Sequence, residues 1–378
     1  MTKVDGFVKA GFEPVRDLLE QHLSDGSDVG ASVAVRVGDE VVLDIWGGSA
    51  DASGTRPWER DTIVNVWSTT KTMTFLVALM LADRGELDLD APVAKYWPEF
   101  AAAGKADVRF RHVLSHSAGL PGWQEHLERE DLADWEKCVT LLAAQEPWWT
   151  PGTASGYHLV TQGYLIGEVV RRITGQSIGQ FFQREVAEPL GADFYIGLPE
   201  SEEGRVSLVI PPKGVDPASV NPTSIGARAM ASPNLTKTGD APHERWWRAA
   251  EIPAANGHGN ARSVALIQSV ITNRGEVNGK RLVGEATVDR VFESQINGTD
   301  LVLGVPLNFG AGYGLGSETI PVGPRTCFWG GYGGSLIIMD QSSGITFSYM
   351  MNKMFEGLIG DTRAMSLLMT TMGAASLL

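Results

Sequence analysis

Only two of the 378 residues are cysteine, Cys138 and Cys327. Two thiols so far apart give no disulfide framework, so a reducing cytoplasm is the expected compartment. Long hydrophobic runs are missing too. The longest clean one near the middle, FLVALMLA at 75–82, is too short to cross a bilayer, and no membrane partner is expected. The start, MTKVDGFVKAGFEP, lacks the apolar core of a signal peptide. Basic runs are equally scarce. Acidic residues outnumber basic ones 45 to 31, the formal net charge is −14, and nucleic acid is not an expected partner. Charge of that sign mostly serves solubility. With 43% hydrophobic and 20% charged residues, the composition is that of a globular protein, which excludes global disorder. There is no internal repeat and no low-complexity tract.

What is there is patterned. Residues 8–23 carry apolar positions at helical spacing. ASVAVRVGDEVVLDIWGG (31–48) reads as two β-rich runs around a Gly-Asp turn. The last third repeats that texture: GGSLIIMD (333–340) and GITFSYMMN (344–352) form a second hairpin, and DTRAMSLLMTTMG (361–373) a closing helix. Strands at both ends predict one antiparallel sheet built from both termini. Between them, 131–145 and 161–175 are helical patterns joined by Trp/Pro/Gly-rich loops, and 201–255 is loop-rich. The expected organisation is an α/β part from residues 1–66 and 250–378, and a mainly helical region over 67–249.

Two serines compete for chemistry. GQSIG at 175–179 has the Gly-x-Ser-x-Gly pattern of a nucleophile elbow, which needs a strand before the serine and a helix after it. Ser177 instead follows a helix that ends in Arg171, Arg172 and Gly175, and it precedes another helical run. It reads as a helix N-cap, with Gly175 as the preceding C-cap. The other serine is Ser68, in NVWSTTKTMTFLVALMLADRGELDLD from Asn65. A helix from near Ser68 to Arg84, stopped by Gly85, places Lys71 on the same face one turn along. A serine hydroxyl is a weak nucleophile and needs a base beside it. A buried lysine supplies one if its proton affinity falls.

Two later segments add to Ser68 and Lys71: Tyr157 in SGYHLVTQG, and the glycine-dense CFWGGYGGSLII that leads into a strand. The ordered set Ser68-x-x-Lys71, Tyr157, then Trp329-Gly330-Gly331 resembles the family VIII carboxylesterases. These are serine hydrolases of the class C β-lactamase and penicillin-binding-protein superfamily. The likeness runs over roughly residues 8–373 and includes VRFRHVLSHSAGLPG (108–122). It implies a β-lactamase-like fold, a central antiparallel sheet flanked by helices with a mainly helical second region. It also implies roles: Ser68 as the acylated nucleophile, Lys71 and Tyr157 as the proton-handling pair, and the backbone N–H groups of Ser68 and Tyr332 as the oxyanion hole.

The β-lactamases of this superfamily usually carry asparagine two residues after the tyrosine and open the third motif with lysine. Here those positions are Leu159, which offers a substrate amide nothing, and Trp329, which has no charge. Both changes suit a small, uncharged ester. Hydrolysis of acyl or aryl esters is therefore the leading expectation. Amidase, weak β-lactamase or D-aminopeptidase action is an alternative, and a catalytically silent ligand-binding relative is another. Trp329, Gly330, Gly331, Leu159, Trp123, Trp149 and His258 are candidate substrate contacts. Trp148 is a further candidate for the pocket lining, and Trp246 and Trp247 are candidates for the rim. His112 and His116 stand four apart, but no third ligand accompanies them, so neither a metal nor a cofactor is expected. The partner is a small-molecule ester, and the chain a monomer or homodimer.

Overall fold

The β-rich runs at the two ends of the chain meet in one sheet. A computed structural model describes residues 3–212, 221–235, 238–357 and 361–376. The N-terminal end gives strands β1 (Val4–Val8), β2 (Gly30–Val37) and β3 (Glu40–Gly48). Four short strands follow, β4 (Ile63–Asn65), β5 (Phe194–Tyr195), β6 (Val206–Ser207) and β7 (His258–Gly259), then a hairpin of β8 (Glu276–Val277) and β9 (Lys280–Arg281). The C-terminal end adds β10 (Ile296–Thr299), β11 (Pro306–Phe309), β12 (Gly314–Leu315), β13 (Thr326–Gly330), β14 (Leu336–Asp340) and β15 (Ile345–Met351). The large sheet has the order β1-β3-β2-β15-β14-β13-β12-β11-β10, antiparallel throughout. The two ends of the chain thus pair directly, β2 on β15.

Every residue of β15 is buried, so both faces of the sheet are covered. Side chains alternate along a strand, and the alternation shows what covers each face. Thr346 shares a hydroxyl hydrogen bond with Thr272 on the helix Ala261–Thr272. Tyr349, of opposite parity, donates to Asp28, which also takes the Arg363 guanidinium of the closing helix Thr362–Ala375. The helix Glu13–Ser24 packs beside that closing helix and buries Val15, Leu19, His22 and Leu23 at helical spacing.

The helix expected over 8–23 starts late. Residues Val4–Val8 form edge strand β1, Gly6 and Gly11 take left-handed φ of 121° and 97°, and Pro14 sits in the first turn of the helix proper. Proline suits that turn because its missing N–H has no partner to lose. On the other side of the sheet, Thr70–Leu81 are all buried, which makes the helix Thr70–Asp83 a core element apolar on every side. It packs on Thr161–Thr174, which packs in turn on Trp135–Ala144. Of the loop-rich stretch 201–255, residues 213–220 and 236–237 lie outside the described residues. The remainder holds only short pieces such as β6, Ile225–Ala231 and Arg245–Ala249. Among the described residues, no helix is long and apolar enough to cross a membrane.

Candidate active site

Strand β4 sits in a small four-stranded sheet of order β5-β7-β4-β6 and delivers the chain to Ser68. Of the two residues between them, Trp67 has φ of 49°, a left-handed conformation that costs a non-glycine residue on the order of 1 kcal/mol or more. Packing holds it there: its ring lies 5.6 Å from Trp247 and 5.5 Å, edge-on, from Tyr332. A hydrogen-bond relay helps, with Gly257 N donating to Thr70 Oγ1 at 2.8 Å and Thr70 Oγ1 to the Trp67 carbonyl at 2.5 Å. Ser68 then lies in a 3-10 turn, Trp67–Thr69, ahead of the α-helix that begins at Thr70. The α-helix thus begins two residues after Ser68, close to the expected start, with a 3-10 turn leading into it. The strand, the tight turn and the helix leave Ser68 half-buried while its neighbours Trp67 and Thr69 are buried.

Lys71 is fully buried. Its Nζ lies 3.0 Å from Ser68 Oγ, 2.7 Å from the Leu159 carbonyl and 2.9 Å from the Ala254 carbonyl. No carboxylate takes part in these contacts, and burial pushes the amine well below the ordinary lysine value. A neutral amine has two N–H groups and one lone pair. The two carbonyls accept both N–H groups, which leaves the lone pair for the Ser68 hydroxyl proton.

Tyr157 is buried, with its ring centroid 4.7 Å from Lys71 Nζ. The Trp329 indole N–H donates to its hydroxyl at 3.1 Å. Burial pushes the phenol up, against the pull of the neighbouring Ser68 and Trp329 side chains. Burial thus favours the uncharged form of both the amine and the phenol.

Behind Tyr157 the rings are packed. His116 lies 4.6 Å from Tyr157 and 4.9 Å from Phe309, and stacks on Trp329 at 6.1 Å. His116 Nδ1 accepts from His158 N at 3.0 Å. His158 Nε2 accepts from Leu120 N at 3.1 Å, so its Nδ1 is the atom that donates, to the Gly156 carbonyl at 2.7 Å. Burial depresses both imidazoles, His158 to about 3, and both are neutral props for the Tyr157 loop.

The third motif closes the site. A Cβ on Gly331 would fall 2.2 Å from the Val66 carbonyl, 2.4 Å from Ser335 Oγ and 3.1 Å from Ser68 N. Only glycine lets this backbone come so near the serine. Tyr332 follows, half-buried, its ring on Trp67. Trp329 and Gly330 end β13, and Leu159 meets Lys71 through its backbone carbonyl.

Other sequence candidates go elsewhere. Trp123 is core: its Nε1 donates to the Cys138 carbonyl at 3.0 Å and its ring sits edge-on to Tyr164. Trp149 backs the Tyr157 loop, with Nε1 on the Ala154 carbonyl at 2.9 Å and its ring over Gly156. Trp148 stacks under the Arg228 guanidinium at 3.8 Å. Trp247 is fully buried and donates to Asn65 Oδ1 at 3.0 Å, while Trp246 is half-buried against it. His258 is fully buried in β7, with Nδ1 on the Asn256 carbonyl at 2.8 Å. Nothing in these contacts links it to Ser68, Lys71 or Tyr157. His112 accepts from Arg109 N, away from His116, and among the described residues no cluster of three metal-ligating side chains occurs. Ser177 caps Ile178–Phe182 as expected: its Oγ accepts from Gln180 N, and Gly175 ends the preceding helix at φ 72°. Its hydroxyl donates to the buried carboxyl of Glu251 at 2.5 Å.

The sequence reading missed the carbonyl of Ala254 and the side chain of Asp300, which accepts from Tyr157 N at 3.0 Å. A backbone carbonyl leaves no mark in a sequence. The Asp-Leu-Val-Leu-Gly run at 300–304 does carry a turn signal, but nothing in it points to residue 157.

The Beta-lactamase family model matches residues 15–368. The chain is 35% identical over 346 residues to the esterase/beta-lactamase LipL of Mycobacterium tuberculosis, covering 87% of this chain and 78% of that one. It is 25% identical to esterase EstB of Burkholderia gladioli, over 91% of each. A crystal structure of a family VIII carboxylesterase superposes with a TM-score of 0.91 at 38% identity, over 98% of this chain and 100% of that one.

Proposed function

Because the chain belongs to the β-lactamase family, we propose that it is a serine esterase that hydrolyses small, uncharged carboxylic esters through an acyl-enzyme on Ser68. The observation that carries this reading is the three-way contact of Lys71 Nζ at 3.0, 2.7 and 2.9 Å. It aims the lone pair of a neutral amine at one hydroxyl. Ser68 Oγ attacks the ester carbonyl carbon and its proton passes to Lys71. The N–H groups of Ser68 and Tyr332 receive the developing oxyanion, an arrangement in which each donor is worth several kcal/mol. The C–O bond to the alcohol breaks, and the alkoxide leaves with a proton from the Lys71/Tyr157 pair. Water then attacks the acyl carbon and gives a proton to that pair; the bond from the acyl carbon to Ser68 Oγ breaks, Oγ takes the proton back, and the carboxylic acid leaves. Lys71 is the acceptor of the first step and Tyr157 the donor to the leaving group, titrating as one coupled unit.

The ester preference follows from the neutral wall. Trp329 sets an indole against Tyr157 where a lysine would bring a charge for a substrate carboxylate. Leu159 contributes a carbonyl already engaged by Lys71, not an amide for the substrate. The free, buried thiols of Cys138 and Cys327 agree with a cytoplasmic location. Two measurements test the reading. Fluorophosphonate labelling with peptide mapping should place the adduct on Ser68; an adduct on Ser177 alone overturns the site, and no adduct at all makes the protein a binding relative. kcat/KM for an aryl acetate should exceed that for a chromogenic cephalosporin, and the reverse order would make it a β-lactamase.

A further inference from the structure

Asp300 stands in the turn between β10 and β11 and is fully buried. Its Oδ1 accepts three backbone N–H groups: Tyr157 at 3.0 Å, Val302 at 2.9 Å and Leu303 at 2.9 Å. The turn closes on itself, with Asp300 N donating to the Val305 carbonyl at 2.9 Å and Gly304 N to the Asp300 carbonyl at 2.8 Å. Leu301 N donates to the Ser155 carbonyl at 2.8 Å, a second tie to the loop that carries Tyr157. Oδ2 of the same carboxyl is buried with no partner. Burying such an oxygen bare is costly, more so if it is charged, and the turn's own two bonds need only Oδ1.

We propose that Asp300 is a positioning residue for the reaction: by holding the backbone N–H of Tyr157, it sets where the phenol meets Ser68 and the departing alkoxide. The inference rests on the reading of Tyr157 as proton donor. The ring contacts of Tyr157 with Lys71, His116 and Trp329 are face and edge packing, which tolerates sliding. The Asp300 bond instead fixes the backbone from which the ring extends. A shift of about 1 Å in a reacting group costs on the order of 10²-fold in rate.

The experiment compares wild type, D300N, D300A, D300E and Y157F on two acetates, a 4-nitrophenyl ester and a simple alkyl ester. A nitrophenolate departs without help, whereas an alkoxide needs its proton. In D300A the alkyl ester should lose on the order of 10²-fold in kcat/KM and the aryl ester far less. D300N still presents an oxygen to the three N–H groups and should stay close to wild type on both. D300E keeps the charge but moves the oxygen, so it should follow D300A, and it decides the matter if D300A does not fold. Equal losses on the two esters, a D300N as impaired as D300A, or a D300E like wild type would each overturn the proposal. The site reading fails separately, if wild type is not labelled by fluorophosphonate on Ser68 or if Y157F shows no alkyl-selective loss.

Discussion

Ser68 and Lys71 stand at the start of a helix whose residues Thr70–Leu81 are all buried in the main core, whereas Tyr157 and Trp329 belong to a separate small cluster with Leu307 and Phe309. One wall of the site is continuous with most of the molecule's apolar interior. The other is a satellite, joined to the chain by polar ties: the bond from Tyr157 N to Asp300, the one from Leu301 N to Ser155, and the backbone bond of His158 to His116. The difference divides the labour. The core-bound wall can keep an amine dry, and burial there lowers the proton affinity of Lys71. The satellite wall can present a phenol whose position is set by hydrogen bonds and aromatic edges, contacts weaker one by one and easier to alter.

The strongest way to break this comparison is to remove the group both walls serve. S68A should lower kcat on an aryl acetate by on the order of 10⁴-fold or more, with binding little changed; residual activity near wild type would transfer the nucleophile elsewhere. K71A comes next, with a loss on the order of 10³-fold in kcat/KM. It also strips the Leu159 and Ala254 carbonyls of their donor inside the core, at about 1–3 kcal/mol each, so a lower Tm should accompany the kinetic loss. No satellite variant should carry both penalties to that degree. The pH profile tests the same wall without mutation. A lysine held well below its usual value sheds its proton, and becomes active, at a lower pH than a free one. Wild-type kcat/KM should therefore be flat around neutrality, fall toward acid, and show no loss to Tyr157 ionisation on the moderately alkaline side, since burial raises that phenol. Activity that first appears near about pH 10, where a free lysine titrates, would contradict the neutral amine.

Between the walls lies Gly331. In G331A the new methyl would meet the Val66 carbonyl at 2.2 Å and crowd Ser68 N at 3.1 Å, so the third motif must retreat from the serine. The expected loss is on the order of 10²-fold in kcat, as for removal of an oxyanion donor. Full activity in a folded G331A would mean that the motif has no part in the site.

The two regions were also unequally legible. The Ser68–Lys71 wall is local: three residues apart, followed by an apolar run and a stop at Gly85, which takes φ of 72° as a helix terminus requires. The hairpins 31–48 and 333–352 declared themselves as β-rich runs around a turn, and the burial of β2 and β15 on both faces came only with the helices laid over them. The satellite wall is non-local. Tyr157 and Trp329 were found through the ordered motifs, but Asp300 was not, because its bond to Tyr157 spans 143 positions and is made to backbone. Trp123 was misplaced for a related reason: a tryptophan near a motif loop looks the same in sequence whether its indole N–H faces a pocket or, as here, a helix carbonyl. The 3-10 turn at Ser68 was hidden because a left-handed tryptophan at 67 is paid for by contacts with Trp247 and Tyr332, far along the chain.

A finer cut at the satellite wall is W329F, which keeps an aromatic ring, though a smaller one, and deletes the N–H that reaches Tyr157 at 3.1 Å. One neutral hydrogen bond is worth about 1 kcal/mol, so kcat/KM on an alkyl ester should fall by roughly fivefold, and less on an aryl ester. An unchanged alkyl ester rate would detach Trp329 from the proton donor and leave it as packing alone.

The smallest effect belongs to the serine that the pentapeptide made conspicuous. Ser177 accepts from Gln180 N and donates to Glu251, so S177A removes a helix cap and one partner of a buried carboxyl. Caps of this kind contribute about 1 kcal/mol, and in a chain of this size that lowers Tm by only a few degrees. Since Ser177 touches neither wall of the site, kcat/KM on both esters should stay at the wild-type value while Tm drops. The opposite pattern, an unchanged Tm with lost activity, would place chemistry at the pentapeptide. It would also mean that the convergence of a core-bound amine and a satellite phenol on Ser68 is packing without catalysis.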